Sequence, residues 1–165
     1  MSVPQDPPAE IVAYRREAHA AGLRACFVEL QDFERTLEPE MPPGGRVADE
    51  YLERMLDRCR TWDGAVFVAL VAGEVTGFVC VWARVPPEPD EPGRPYAFVS
   101  DLVVLERRRG RGIGRALLAA AERHARAASA AVLRLDVMVG NGAARRLYED
   151  EGFAPRRVEM AKPLR

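Results

Sequence analysis

The chain has 165 residues and a formal net charge of −1, with 48% hydrophobic and 30% charged residues. This composition is typical of one globular domain, and no apolar run approaches the ~20 residues of a membrane-spanning helix. Because the basic residues do not dominate the charge, we expect neither a nucleic acid nor a membrane as partner. The polar, proline-rich N-terminus lacks the pattern of a secretory signal.

The spacing of the cysteines and histidines is not typical of a metal site. Cys26, Cys59 and Cys80 form no C-x-x-C pair and are odd in number, which favours reduced thiols over disulfides or zinc. His19 and His124 lie far apart and have no neighbouring ligands, so we expect no metal ion. With no signal sequence, these features predict a cytoplasmic protein.

The first half of the chain predicts one strand, two helices and a hairpin. We expect residues 1–9 to form a flexible tail and residues 10–165 to fold as a single domain. Strands are indicated by aliphatic alternation, and helices by apolar residues that recur at three and four positions. The predicted ranges are Glu10–Tyr14, Glu17–Phe33, Val47–Arg60, Ala65–Val71 and Val75–Val85.

The second half begins with an exposed, proline-rich and acidic connection at residues 86–95. A strand, a helix, a strand, a helix and a last short strand then follow. Gly152 is placed to end the last helix in a left-handed conformation, with Phe153 packing back onto it. The predicted ranges are Tyr96–Leu105, 112–127, Val132–Val139, Asn141–Glu151 and Val158–Met160.

A strand, a glycine-rich turn and a helix meet between Val99 and Arg115, in the sequence VSDLVVLERRRGRGIGR. Gly110, Gly112 and Gly114 lack side chains at alternate positions, where the backbone turns sharply or approaches a ligand closely. The first amides of a helix have no intrahelical acceptor, and the helix dipole adds positive potential. The stretch therefore predicts a binding site for a ligand that carries phosphates.

The spacing of these residues separates the known phosphate-binding loops. The stretch has neither the Lys-Ser/Thr of a P-loop nor the third glycine of G-x-G-x-x-G. Its pattern, Arg109-x-x-Gly112-x-Gly114, resembles the pyrophosphate-binding signature of the Gcn5-related N-acetyltransferases. The alternative is a turn that carries arginines only because the chain prefers arginine, since Lys162 is its single lysine.

A second stretch, from Asn141 to Phe153, extends this resemblance. It is similar to the closing motif of the same family, N-x-x-A-x-x-x-Y-x-x-x-G-F, with Ala144 and Tyr148 at the alanine and tyrosine positions. The resemblance implies that Asn141 contacts the cofactor and that Tyr148 bonds the thiol and protonates the leaving thiolate. The alternatives are an N-cap residue and a packing tyrosine.

The resemblance implies an α/β fold with a mixed central sheet in the order β-α-α-β-β-β-α-β-α-β. In that family the central strands splay apart, and the pantetheine arm of acetyl-CoA pairs with the exposed backbone like an added strand. The residues implied to bind acetyl-CoA are Leu102, Val103 and Val104 of the central strand, Arg109, Gly110, Arg111, Gly112, Ile113, Gly114 and Arg115 of the loop, and Asn141, Ala144 and Tyr148.

Asp101 is the candidate general base, because an ammonium acceptor must lose a proton before its nitrogen attacks a thioester. Strict alternation places Asp101 on the face of Val103, but a β-bulge, usual in this family's central strand, would change that parity. Ser100 occupies the position where some relatives place their base, and others use a water chain. The structural alternative is an aspartate that bonds backbone or pairs with an arginine.

The function implied is direct transfer of an acetyl group from acetyl-CoA to a primary amine of a small molecule or peptide, with Tyr148 and Asp101 as catalytic residues. Three alternatives stay open: a non-catalytic acetyl-CoA sensor, a nucleotide- or nucleic-acid-binding module that uses the basic loop, and an acyltransferase for a longer acyl-CoA. The resemblance also allows a homodimer, because dimers are common in the family.

The acceptor pocket is expected to form from the first two helices and the 86–95 connection. Acidic residues are frequent there and between residues 29 and 53, which would favour a cationic amine. Two solvated helix faces are the alternative. Phe33, Tyr51 and Trp82 are candidates for aromatic walls of the pocket or for the core.

Overall fold

The computed structural model describes residues 7–164, so the first six residues of the predicted tail lie outside the described part. Five strands and four α-helices occur within residues 7–164, and a short 3-10 helix, Glu106–Arg108, precedes α3. Their bounds are β1 Glu10–Ala13, α1 Arg16–Leu37, α2 Gly44–Thr61, β2 Ala65–Val71, β3 Glu74–Val85, β4 Tyr96–Val104, α3 Ile113–Ala127, β5 Leu133–Leu135 and α4 Gly142–Asp150.

The strands form one mixed sheet in the order β1-β2-β3-β4-β5. Successive strands from β1 to β4 pair antiparallel, and β5 pairs parallel to β4. Helices α1 and α2 cover one face, where Phe27 and Met55 pack on Phe78. Helices α3 and α4 cover the other face, where Leu117 packs beside Val79. Because both faces are covered, β3 is buried along nearly its whole length, and the predicted α/β class is confirmed.

Helix α1 approaches β3 closely enough to need a glycine. A Cβ atom on Gly22 would lie 2.5 Å from the Cβ of Val75, so the absent side chain lets the helix and the strand pack together. This contact explains how α1 tolerates a glycine that lowers helix propensity. The helix also continues to Leu37, four residues beyond the predicted end at Phe33.

Two predicted strands differ in the structure. The strand expected at Val132–Val139 is reduced to Leu133–Leu135, because its pairing with β4 ends at Leu135 and residues 136–139 pair with no strand in the described part of the chain. The strand expected at Val158–Met160 does not form, and the side chain of Met160 is 90% exposed. Alternation predicts a strand only where another strand is available to pair with it. Within residues 7–164, no helix is long and apolar enough to cross a membrane.

Candidate active site

The central feature of the site is a gap between β4 and β5. The two strands pair only from Ala97 with Leu133 to Val99 with Leu135. Beyond Val99, the β5-facing edge of β4 continues to Val104 without a neighbouring strand from the described residues, 7–164. This edge includes Leu102 and Val103, so the splayed strands implied by the resemblance are present. An extended ligand can add to such an edge through its own amide groups.

A β-bulge at Ser100 sets the direction of the next side chain. Cys80 of β3 pairs with Asp101 and Val81 pairs with Val99, which leaves Ser100 as the extra residue on β4. Phe98 and Val103 consequently lie on the same α1–α2 face, although five positions separate them. The bulge therefore turns Asp101 toward α2.

Asp101 is held by two hydroxyl groups and by no cation among residues 7–164. Tyr51 of α2 donates from Oη to Oδ1 of Asp101 at 2.9 Å, and Ser100 donates from Oγ to Oδ2 at 2.7 Å. Asp101 is 7% exposed. Burial raises the pKa of Asp101, and the two hydroxyl donors offset only part of that effect. The predicted alternative of an arginine partner is wrong, and the carboxylate is more basic than an exposed aspartate.

Tyr148 reaches the same region from α4. Burial raises the pKa of its phenol to about 12, and the negative charges of Asp101 and Glu34 add to that effect. Over the described residues, the Tyr148 hydroxyl has no hydrogen-bond partner, and its ring packs edge-on against Phe153 at 5.8 Å between centroids. The Tyr148 hydroxyl is therefore protonated at neutral pH and free to donate a hydrogen bond.

The turn after α4 has the predicted form. Gly152 adopts a φ of +88°, and the amide of Phe153 donates to the carbonyl oxygen of Tyr148 at 2.9 Å. This left-handed glycine ends the helix and returns Phe153 to the Tyr148 ring, which confirms the predicted cap. The cap fixes the ring of Tyr148 beside the gap.

The glycine-rich loop lies at the end of β4. Gly110 and Gly112 adopt φ angles of +74° and +77°, which L residues rarely adopt, and a Cβ on either would meet no atom within 4 Å. These two glycines are therefore required by backbone conformation and leave an open surface. Gly114 has a packing role, because a Cβ there would lie 3.2 Å from a methyl group of Leu147 in α4.

Helix α3 presents its N-terminus at this loop. Ala116 makes the first intrahelical bond, from its amide to the carbonyl oxygen of Gly112 at 3.0 Å. The amides of Ile113, Gly114 and Arg115 consequently have no acceptor within the helix. Together with the helix dipole they form a cradle that suits a phosphate group.

Two arginine side chains of the loop make contacts that hold it in place. Arg109 donates from Nε to the carbonyl oxygen of Val104 at 2.9 Å, and its guanidinium carbon lies 5.6 Å from the ring centroid of Phe33. Arg115 forms an ion pair with Glu151 near the end of α4. These contacts occupy the side chains of Arg109 and Arg115, and the binding of a pyrophosphate mainly through backbone amides of the loop stays a prediction.

Asn141 begins α4 as an N-cap residue. Its Oδ1 accepts a hydrogen bond from the amide of Ala144 at 3.1 Å, and Ala144 itself packs in the core on the α3–α4 face. Both residues thus have structural roles that position Tyr148. Their contacts with a cofactor stay predictions.

The last turns of α1 cover the gap, a feature that the predicted end at Phe33 did not include. Phe33 lies against Arg109, and a Cβ on Gly140 would lie 3.0 Å from Leu37. Glu34 stands between these two contacts and is half-buried. Burial, Asp101 and Glu38 raise the pKa of Glu34 in that order.

Most acidic residues between positions 29 and 53 are engaged in structural contacts. Glu29 accepts from the amide of Glu106 at 2.6 Å, Asp32 accepts from the amide of Gly44 at 2.8 Å, and Asp49 pairs with Arg24 at 2.8 Å. These contacts fix helix ends and loops. They favour the alternative of solvated, structural helix faces over a field directed at the acceptor.

Tyr51 has a role that its sequence pattern did not reveal. It occupies an apolar position of a helical repeat, so only its aromatic character was apparent. The structure places its hydroxyl on Asp101 and stacks its ring on Phe27 at 4.4 Å. Among residues 7–164, no group of three or more His, Cys, Asp and Glu side chains is placed to hold a metal ion.

Comparison with known proteins agrees with this geometry. A sequence model described as the acetyltransferase (GNAT) family matches residues 29–153. The chain is 37% identical over 83 residues to YycN of Bacillus subtilis (strain 168), described as an uncharacterized N-acetyltransferase. That match covers 50% of this chain and 53% of YycN, so the chain spans about half the length of this relative.

Two solved structures share the fold over nearly their whole length. The tetramutant of the BH1408 protein from Bacillus halodurans has a TM-score of 0.73 at 23% identity, covering 94% of this chain and 99% of that one. The aminoglycoside N-acetyltransferase AAC(6')-Iy in complex with CoA has a TM-score of 0.71 at 21% identity, covering 99% of each chain. Because the family model covers most of the sequence and the fold agrees, the chain belongs to the acetyltransferase (GNAT) family.

Proposed function

We propose that the protein is an N-acetyltransferase that moves the acetyl group of acetyl-CoA directly to a primary amine. The observation that carries this proposal is the continuity of the site along β4. The glycine-rich loop, the unpaired edge of Leu102–Val104 and Asp101 follow one another in that order, and Tyr148 of α4 is close enough for the charge of Asp101 to raise its pKa. A phosphate cradle, an edge for amide pairing and an acid–base pair suit one extended thioester.

Binding begins at the two backbone features. The amides of Ile113, Gly114 and Arg115 hold the pyrophosphate, and the unpaired edge of β4 pairs with the pantetheine amides. A backbone N–H near Val103 stabilises the thioester oxygen as negative charge develops on it. The acetyl group then lies near the bulge at Ser100.

The transfer itself removes two protons from the acceptor nitrogen and adds one to the leaving thiolate. Asp101 receives the proton of the ammonium acceptor, directly or through water, and its raised pKa makes it a stronger base than an exposed aspartate. The amine nitrogen attacks the carbonyl carbon, the new C–N bond forms, and the C–S bond breaks. Tyr148 donates its proton to the departing thiolate, the new amide nitrogen releases its second proton to solvent, and Tyr148 regains a proton from solvent.

A thiol-release assay tests the proposal. Acetyl-CoA is offered with a panel of small amines, peptides and aminoglycosides to the wild type, Tyr148→Phe and Asp101→Asn, with Tyr14→Phe as a control outside the site. If one acceptor class is acetylated and the turnover rate is lower in both site variants, the result supports the proposed enzyme. Tight acetyl-CoA binding by calorimetry without turnover would favour a sensor, and faster turnover with longer acyl-CoA would favour the other acyltransferase. Failure to bind acetyl-CoA would overturn the assignment of the loop.

A further inference from the structure

A cleft on the α1–α2 face lies beside the groups that carry the proposed transfer. It is a shallow, partly open cleft with a volume of about 100 Å³, and it is lined by Tyr51, Arg54, Met55, Arg58 and Trp82. The four helical residues recur at intervals of three and four, so they share one face of α2. Trp82 of β3 lies opposite them, and we refer to this feature as the α2 cleft.

The strand register places the α2 cleft beyond Asp101. Trp82 pairs with Phe98, and Cys80 pairs with Asp101, so the cleft lies toward the start of β4. The glycine-rich loop follows the opposite end of the same strand. A ligand that extends along β4 from the loop therefore reaches Asp101 before it reaches the cleft.

Tyr51 contacts both the α2 cleft and Asp101, the candidate base. Its ring lines the cleft, and its hydroxyl donates to Asp101. A molecule in the cleft is thus separated from the candidate base by one phenol group. This is the place expected for the remainder of an acceptor whose amine lies at Asp101.

The cleft carries two guanidinium groups without strong carboxylate partners. Arg58 lies 5.1 Å from the ring centroid of Trp82, and it forms no ion pair within residues 7–164. Arg54 approaches Glu50 at 3.9 Å, with both side chains largely exposed, and such pairs contribute little. Arg60, two positions beyond Arg58, pairs with Asp57 and does not line the cleft.

We propose that the α2 cleft binds a carboxylate of the acceptor, so that the acceptor is an amino-acid-like amine with an apolar body. This inference rests on the proposed acetyl transfer, because it assigns the other end of the same acceptor. Guanidinium groups bind carboxylates through paired, charge-assisted hydrogen bonds. Tyr51, Met55 and Trp82 supply apolar contact for the carbon skeleton.

Pairs of acceptors that differ only by a carboxylate test this inference. Suitable pairs are phenylalanine and phenethylamine, tryptophan and tryptamine, and glycyl-phenylalanine and N-(2-phenylethyl)glycinamide. At least one carboxylated amine should have the lower KM. Arg58→Gln and Arg54→Gln should each raise the KM of this carboxylated amine by about tenfold or more, as loss of a charge-assisted hydrogen bond predicts. The KM of the matched amine that lacks the carboxylate should not change.

The control variants distinguish carboxylate binding in the α2 cleft from a general effect of removing a positive charge. Arg60→Gln removes the same charge from the same helix and should leave both KM values unchanged, whereas Arg58→Lys should recover part of the lost affinity. Circular dichroism and thermal unfolding verify that each variant is folded. Equal KM values within every pair, or an equal effect of Arg60→Gln, would overturn the inference.

Calorimetry distinguishes failure of the inference from failure of the proposed function. Phenylalanine, tryptophan and glycyl-phenylalanine are titrated into the protein saturated with CoA. Binding that depends on Arg58, in a protein that releases no thiol with any amine, would uphold the cleft and contradict the enzyme. Thiol release with amines, but no Arg58-dependent preference for a carboxylate, would uphold the enzyme and contradict the cleft.

Discussion

The two ends of the β4 gap are built from different parts of the chain. At the loop end, the groups that face a ligand are helix amides and the left-handed backbone of Gly110 and Gly112. At the other end they are side chains, namely the Asp101 carboxylate and the hydroxyls of Tyr51 and Tyr148. Under the proposed function, this difference means that backbone conformation governs the binding of acetyl-CoA, whereas individual side chains govern the reaction and the choice of acceptor.

The largest expected effect is that of Asp101→Asn. An amide cannot take the ammonium proton, so kcat/KM should fall by about 10²–10⁴-fold, the usual contribution of a general base. The dissociation constant of acetyl-CoA should change little, because the loop end is intact. Thiol release and calorimetry measure the two quantities, and Asp90→Asn, at an exposed position of the 86–95 connection, provides the charge-matched control. A variant that keeps full turnover would remove Asp101 from the reaction.

The substitution Gly112→Ala perturbs the backbone conformation at the loop end of the β4 gap. A Cβ atom finds free space there, so the only penalty is the left-handed φ of +77°, which costs an L residue roughly 1–2 kcal/mol. That strain should lower the thermal midpoint. Because the free loop can relieve the strain by leaving the left-handed conformation, which bound acetyl-CoA would restore, acetyl-CoA binding should weaken by about tenfold, as 1.4 kcal/mol implies. Gly45→Ala, which also meets open space but has no positive φ, should do neither.

The same division explains what could be predicted from the sequence. The glycine spacing, the cap at Gly152 and the bounds of β2 follow from neighbours in the chain, and the structure has all three. The short β5 and the missing last strand depend on whether a partner strand is adjacent. The contact of Tyr51 with Asp101 joins residues fifty positions apart and requires the bulge at Ser100, so no local pattern could reveal it.

A smaller, directional effect is expected from Tyr51→Phe. The Tyr51 hydroxyl donates to the ionised carboxylate of Asp101 and lowers its pKa, against the larger effect of burial. Removing this donor raises the pKa of Asp101 further, so the acidic limb of the kcat/KM profile should move to higher pH. The profile is measured by thiol release across pH, with Tyr14→Phe as the control. A limb that stays in place would show that Asp101 is not the group titrating.

The smallest effect is expected from Arg115→Gln, and it tests the loop end most directly. The guanidinium of Arg115 is engaged with Glu151, while the main-chain amide of the same residue belongs to the cradle. Removing the side chain should therefore change the dissociation constant of acetyl-CoA by less than about fivefold, because an exposed ion pair contributes about 0–1 kcal/mol. Calorimetry at two salt concentrations measures it. A loss larger than that of Gly112→Ala, with a reduced salt dependence, would show that the arginine side chain binds the pyrophosphate, and the contrast between a backbone end and a side-chain end would then fail.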